Sequence, residues 1–114
     1  MNRTRVVLRE RANQDAEEAV DYYFREAGEK TALRFVEALE RSCAQIGGHP
    51  AAGSSRYAHE LSLSGLRSWS LPGFPYLLFY VERDSFVDVW RLLHAERDIP
   101  AWLRDPESPT ARTS

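Results

Sequence analysis

Cysteine, lysine and long apolar runs are all scarce in this sequence of 114 residues, and each scarcity excludes something. The single cysteine, Cys43, cannot form an intrachain disulfide, so the fold must be held by packing and hydrogen bonds. Nor can one thiol complete a thiolate metal set. His49, His59 and His94 have neither helical nor paired spacing, so no metal and no cofactor is expected. Cys43 falls in an apolar helical stripe and reads as buried filler rather than a nucleophile, which suits a reducing compartment. Lys30 is the only lysine; the other 14 of the 15 cationic residues are arginine. Against them stand 17 acidic residues, giving a net charge of −2 and an isoelectric point near 5.9. The clustered positive charge of a nucleic-acid binder is missing, so the chain alone is not expected to bind nucleic acid directly. No apolar run approaches the roughly 18 residues of a membrane span, so no membrane partner is expected. Met1-Asn2-Arg3-Thr4-Arg5 leads into Val6-Val7-Leu8 and then polar residues, which is not a secretory leader pattern. A cytoplasmic protein is expected.

The residues present fit one domain over 1–104, with a Pro/Ser/Thr-rich, disordered tail over 105–114. Arg5–Arg9 alternates as a first strand. From Asn13 the period changes: Ala16, Ala19, Val20, Tyr23, Phe24 and Ala27 form one stripe of a helix, capped by Asn13 or by Asp15 with Glu18 and ended by Gly28. A second helix follows at once, with stripe Ala32, Phe35, Val36, Leu39, Cys43 and Ile46, stopped by Gly47-Gly48. The two make an antiparallel hairpin. Residues 49–65 read as a loop, with a short strand near Glu60–Leu63. Leu66–Leu71, Tyr76–Glu82 and Phe86–His94 read as strands of an antiparallel meander. Pro72-Gly73 fits the centre of a type II turn, and the near-continuous apolar run Tyr76–Val81 fits a central strand covered on both faces. Asp98 would cap a short C-terminal helix. The fold class is α+β: an N-terminal strand, a two-helix hairpin packed on a twisted antiparallel sheet of three to four strands, and that short helix.

Chemistry is sparse. Gly47-Gly48 and Gly53 lack the strand-to-helix setting of a phosphate loop, and Glu60-Leu61-Ser62-Leu63-Ser64-Gly65 lacks a nucleophile elbow. Arg91, His94, Arg97 and Asp98 cluster where the last strand ends, with Arg67 on a neighbouring strand. They could bind an acidic partner or a phosphate; equally, Arg97 could pair with Asp98 or Glu96 and His94 could serve the strand end. Alternation along the last strand leaves neither face purely apolar. Either a bulge resets the pattern near Arg91 or one face is partly solvated. The aromatic set Trp69, Tyr76, Phe79, Tyr80 and Trp90 could stack bases, but core and interface packing is the better reading.

Six short motifs occur in a fixed order. The first helix carries Ala12, Asp15, Ala16, Ala19 and Tyr22. The second carries Ala32, Phe35 and Leu39, followed by Pro50 and Gly53. Leu66-Arg67 opens a strand, Phe74-Pro75-Tyr76 with Tyr80 follows, and Leu93-His94-Ala95-Glu96-Arg97-Asp98 closes the series. In this order the chain resembles the ParE branch of the RelE/ParE toxin superfamily over roughly residues 5–104. The resemblance implies a toxin of a type II toxin–antitoxin module of the plasmid-stabilising kind. It implies neutralisation by a ParD-like antitoxin whose C-terminal segment folds onto the toxin, as a helix beside the hairpin and an extended piece at the sheet. Tyr23, Phe35, Leu39, Trp69 and Trp90 would be its contacts, forming an apolar patch that makes the free toxin poorly soluble. ParE-type toxins inhibit DNA gyrase, whereas RelE-type relatives cleave mRNA in the ribosomal A site. Metal-free RNA cleavage needs charge-stabilising groups with a positioned base and acid. Arg67 and Arg91 lie near the family's basic positions and His94 or Arg97 near its C-terminal end, but they offer no evident acid/base pair. Gyrase inhibition by protein contact, without catalysis, is therefore the favoured reading. The alternatives are a ribonuclease or a non-toxic binding module.

Overall fold

Strand β4 (Phe86–His94) is the spine of the fold. In this computed structural model, which describes residues 4–96 together with Ile99 and Leu103, it pairs on both sides. β3 (Tyr76–Glu82) lies antiparallel to it, β2 (Leu66–Ser70) pairs antiparallel outside β3, and β1 (Arg5–Leu8) fills the other edge, giving the order β1-β4-β3-β2. The sheet is mixed rather than antiparallel throughout, because β1 runs parallel to β4. Tight turns enforce antiparallel pairing only within β2-β3-β4, where Gly73 at φ +83° makes the expected turn. The excursion from β1 to β4 passes through the helices and two strands, so it imposes no direction.

Two helices, α1 (Glu10–Ala27) and α2 (Glu29–Gly48), form the expected hairpin. One residue, Gly28 at φ +93°, separates them, a conformation that L side chains rarely adopt. Ala12, Ala19, Phe35 and Ile46 pack against Leu78, Tyr80, Val87, Val89 and Leu92 on one face of the sheet. The residues 49–65 are less irregular than expected. Pro50–Ala52 makes a 3-10 turn, and where a strand was expected near Glu60–Leu63 a short helix, α3 (Arg56–Leu61), forms instead. Tyr57, Ala58, Leu61 and Leu63 from this region, with Ile99 and Leu103, cover Leu66, Phe79, Val81, Trp90 and Leu93 on the opposite face. The central strands are therefore covered on both sides. The expected C-terminal helix and its Asp98 cap, Arg97 and the tail over 105–114 lie outside the described residues, apart from buried Ile99 and Leu103.

Neither Asn13 nor Asp15 caps α1. The helix starts earlier, at Glu10, with Arg9 extended at the N-cap. The cause is continuity with the sheet: the Arg9 N–H still donates to the Val89 carbonyl at 3.0 Å, and its own carbonyl accepts from Asn13 N–H at 3.0 Å. At the far end α2 runs through Gly47-Gly48 rather than stopping before them. Gly47 is there for a close approach. Thr4 N–H donates to its carbonyl at 2.9 Å, and a Cβ on it would sit 2.7 Å from the Thr4 carbonyl oxygen. Nearby Cys43 is half-buried in α2, and burial, with the neighbouring Glu40 carboxylate, pushes its thiol up to about 11. Thiolate is the reactive form, so alkylation at pH 8 should run on the order of 100-fold slower than for an unperturbed cysteine. Iodoacetamide kinetics on the native protein check this.

On the face away from α1 and α2, Asp88 is nearly buried at 4% exposure, yet remains charged. Burial pushes its carboxyl up, but hydrogen bonds from Arg9 and Arg83 outweigh that and hold it below the usual carboxylate value. Its stabilising contribution is therefore present above the unfolded-state value of about 3.9 and is lost as pH falls through the lower folded-state value. The urea midpoint of the wild type should fall more steeply than that of Asp88→Asn below about pH 4.

Candidate functional site

Two polar residues that interrupt apolar stripes meet inside the protein. Asp15 sits on α1 between Ala12 and Ala19, all three buried. Arg91 sits on β4 and is wholly buried. Its Nε donates to Asp15 Oδ2 at 2.8 Å and its Nη2 to Oδ1 at 3.0 Å, a bidentate pair. The Leu92 backbone N–H also donates to Asp15 Oδ2, at 3.0 Å. β1 has ended by this point on the β4 edge, at the Leu8↔Val89 pair. The Asp15 carboxylate thus supplies the acceptor that a longer β1 would have supplied. The register explains how the pattern shifts: Tyr80 faces Val89 and Phe79 faces Arg91, leaving Trp90 as an extra residue. The bulge expected near Arg91 is real.

The end of β4 beyond this pair and the middle of α1 border a groove of about 310 Å³, lined by Asp15, Glu18, Ala19, Tyr22, Tyr76, Leu92, Leu93 and His94. His94 Nδ1 accepts from the Glu96 N–H at 3.1 Å, and its ring meets Tyr76 edge-on at 5.2 Å between centroids. In the neutral ring, Nε2 is then the protonated nitrogen. Tyr22, at the rim of the groove, is 49% exposed; the hairpin's other exposed apolar side chains, Phe24 at 57% and Leu33 at 55%, are not among the groove's lining.

Arg67 lies elsewhere. On β2, its Nη1 donates to the Gly53 carbonyl at 2.8 Å. The Gly53 N–H donates to the Tyr80 hydroxyl at 3.1 Å, and that hydroxyl donates to the Pro50 carbonyl at 2.8 Å. Burial pushes the Tyr80 phenol up, so it stays a donor. The Pro50–Gly53 motif is thus the anchor that ties the loop to the sheet. Arg67 is opposite Tyr80 while His94 is opposite Tyr76, four residues along β3. At about 3.3 Å per residue this puts them roughly 13 Å apart along the strand direction. The candidate basic set is accordingly not assembled: Arg91 is locked to Asp15, Arg67 serves Gly53, His94 lies at the groove, and Arg97 is outside the described residues.

The apolar contact residues also divide. Phe35 is fully buried rather than exposed, within 5.3 Å centroid distance of Tyr23 and Tyr76 and 5.1 Å of Phe74. Trp90 is only 8% exposed, because residues from α3 and the C-terminal part cover that face. Tyr23, Leu39 and Trp69 are half-buried and reach the surface. Sequence reasoning missed Tyr22, Phe24 and Leu33 as the exposed set, although Phe24 belonged to the first stripe. It also missed Asp15 as the partner of Arg91, though each stood alone among apolar neighbours.

Among the described residues no helix is long and apolar enough to cross a membrane. Comparison with known proteins agrees with the architecture. The ParE toxin of type II toxin-antitoxin system, parDE, matches by family profile over residues 6–99. A solved structure of a chromosomal ParDE TA system from P. aeruginosa has the same fold, with a TM-score of 0.69 at 17% identity, covering 82% of this chain and 97% of that one. No curated protein matches the chain by sequence. The ordered motifs fall on the hairpin, the Tyr80 anchor and the end of β4, and the family profile spans all of them; the chain belongs to the ParE toxin family of type II toxin–antitoxin systems.

Proposed function

We propose that this chain is a toxin that inhibits DNA gyrase by protein–protein contact, in the cytoplasm, and is neutralised by a ParD-like antitoxin. The observation that carries the choice of contact over catalysis is the dispersal of the basic candidates. Arg91 is spent on a buried carboxylate, and Arg67 lies about 13 Å along the strand from His94. RNA cleavage needs a base, an acid and charge-stabilising groups converging on one phosphate. What the fold offers instead is apolar surface: the α1–β4 groove with exposed Tyr22 at its rim. An amphipathic helix of the antitoxin would lie there; of the expected contacts, Tyr23, Leu39 and Trp69 reach the surface, whereas Phe35 and Trp90 are buried on opposite faces of the sheet.

Purified toxin should block supercoiling of relaxed plasmid by gyrase at micromolar concentration, and added antitoxin should restore it. Full supercoiling with the toxin present would reject gyrase as target. Cutting of ribosome-bound mRNA in the same preparation would install the ribonuclease reading in its place.

A further inference from the structure

Opposite the hairpin, at the β1 edge, two arginines are held in place by one carboxylate. Arg9 Nε donates to Asp88 Oδ1 at 2.8 Å and its Nη2 to Oδ2 at 2.7 Å. Arg83 Nε and Nη2 both donate to the same Oδ2, at 3.1 and 3.0 Å. Trp90 Nε1 reaches that oxygen at 3.4 Å, and the Arg9 guanidinium lies 5.7 Å from the Trp90 ring centroid. Asp88 is therefore saturated, while the arginine side chains remain 39% and 42% exposed. Neither Nη1 has a hydrogen-bond partner among the described residues. Two guanidinium groups against one carboxylate leave a surplus positive charge. Both long side chains are already fixed, so a ligand need not order them. The register Arg5↔Phe86 and Val7↔Asp88 puts exposed Arg5 and Val7 on the same face.

The geometry points to Arg9 and Arg83 as a preorganised clamp for a carboxylate-bearing segment of a partner polypeptide, on a surface separate from the α1–β4 groove. Forked guanidinium groups match the two oxygens of a carboxylate. A short acidic stretch needs only this one spot, and exposed Val7 offers an apolar neighbour of the kind a polypeptide covers. A nucleic-acid backbone needs a track of cations instead.

The test uses the full-length protein and nitrogen-15 NMR of the arginine Nε–H groups. The probes are acetylated, amidated tetraglutamate, tetraglutamine of the same form, and a five-nucleotide thymidine oligomer. Tetraglutamate should shift Arg9 and Arg83 saturably, and tetraglutamine should not. Arg83→Gln should weaken the peptide at least about fivefold, the equivalent of roughly 1 kcal/mol. Arg83→Lys, which keeps charge but not the fork, should restore only part and serves alone if Arg83→Gln does not fold. Absence of saturable shifts, wild-type affinity in both variants, or tighter binding of the thymidine oligomer than of tetraglutamate would overturn the clamp. None of these readouts depends on gyrase or on toxicity, so the clamp and the toxin reading stand or fall separately.

Discussion

Asp15→Ala is expected to lower the unfolding free energy by about 3–5 kcal/mol, because it removes the bidentate carboxylate that a fully buried guanidinium holds. It also removes the acceptor of the Leu92 N–H. For a domain whose total stability is of order 5–15 kcal/mol, that is a large share. Urea unfolding of wild type and variant measures it directly. The loss should come from the broken charge pair rather than from missing volume. The double variant Asp15→Leu with Arg91→Met should therefore be closer to wild type than Asp15→Ala alone. If the double variant is the worse of the two, the pair contributes in some way other than mutual neutralisation.

Gly53→Ala is the second large effect, at about 2–4 kcal/mol. A Cβ at this position would run into the Tyr80 hydroxyl and sit 3.0 Å from the Ser68 carbonyl oxygen. Backbone on one side cannot yield, so the Gly53–Tyr80–Pro50 link must break. Tyr80→Phe alone removes the same hydroxyl and should cost about 1–3 kcal/mol. Because the nearest obstructing atom is then gone, although the ring Cζ at 2.9 Å and the Ser68 carbonyl remain, the combined variant should lose less than the sum of the two. Additive losses in the double-mutant cycle would show that the clash lies elsewhere.

These two sites mark where the sequence was legible and where it was not. The period of the apolar residues located α1 and α2, each long enough to repeat its pattern several times, and the near-continuous apolar run of Tyr76–Val81 located β3. It failed for α3, whose six residues carry only Tyr57, Ala58 and Leu61 as apolar contacts, too few to distinguish a helix from a strand. The direction of β1 was invisible because docking against β4, not a turn, sets it. Asp15 was read as a helix start because acidic residues favour that end. Its place in the buried stripe was the stronger signal, and Arg91 breaking the alternation of β4 was the complementary one. A stripe says that Phe35 and Trp90 are covered, but not by what. In both cases this chain covers them itself, which shifts the exposed apolar surface to Tyr22, Phe24 and Leu33.

Toxicity of this chain is the property on which the proposed function turns, and controlled expression in a bacterium lacking the antitoxin measures it most directly. Induction should collapse colony formation, and co-expression of a ParD-like antitoxin from an adjacent reading frame should restore it. Undiminished colony counts, with full-length folded protein verified in the cells, would contradict the toxin reading and leave a binding module of the same fold.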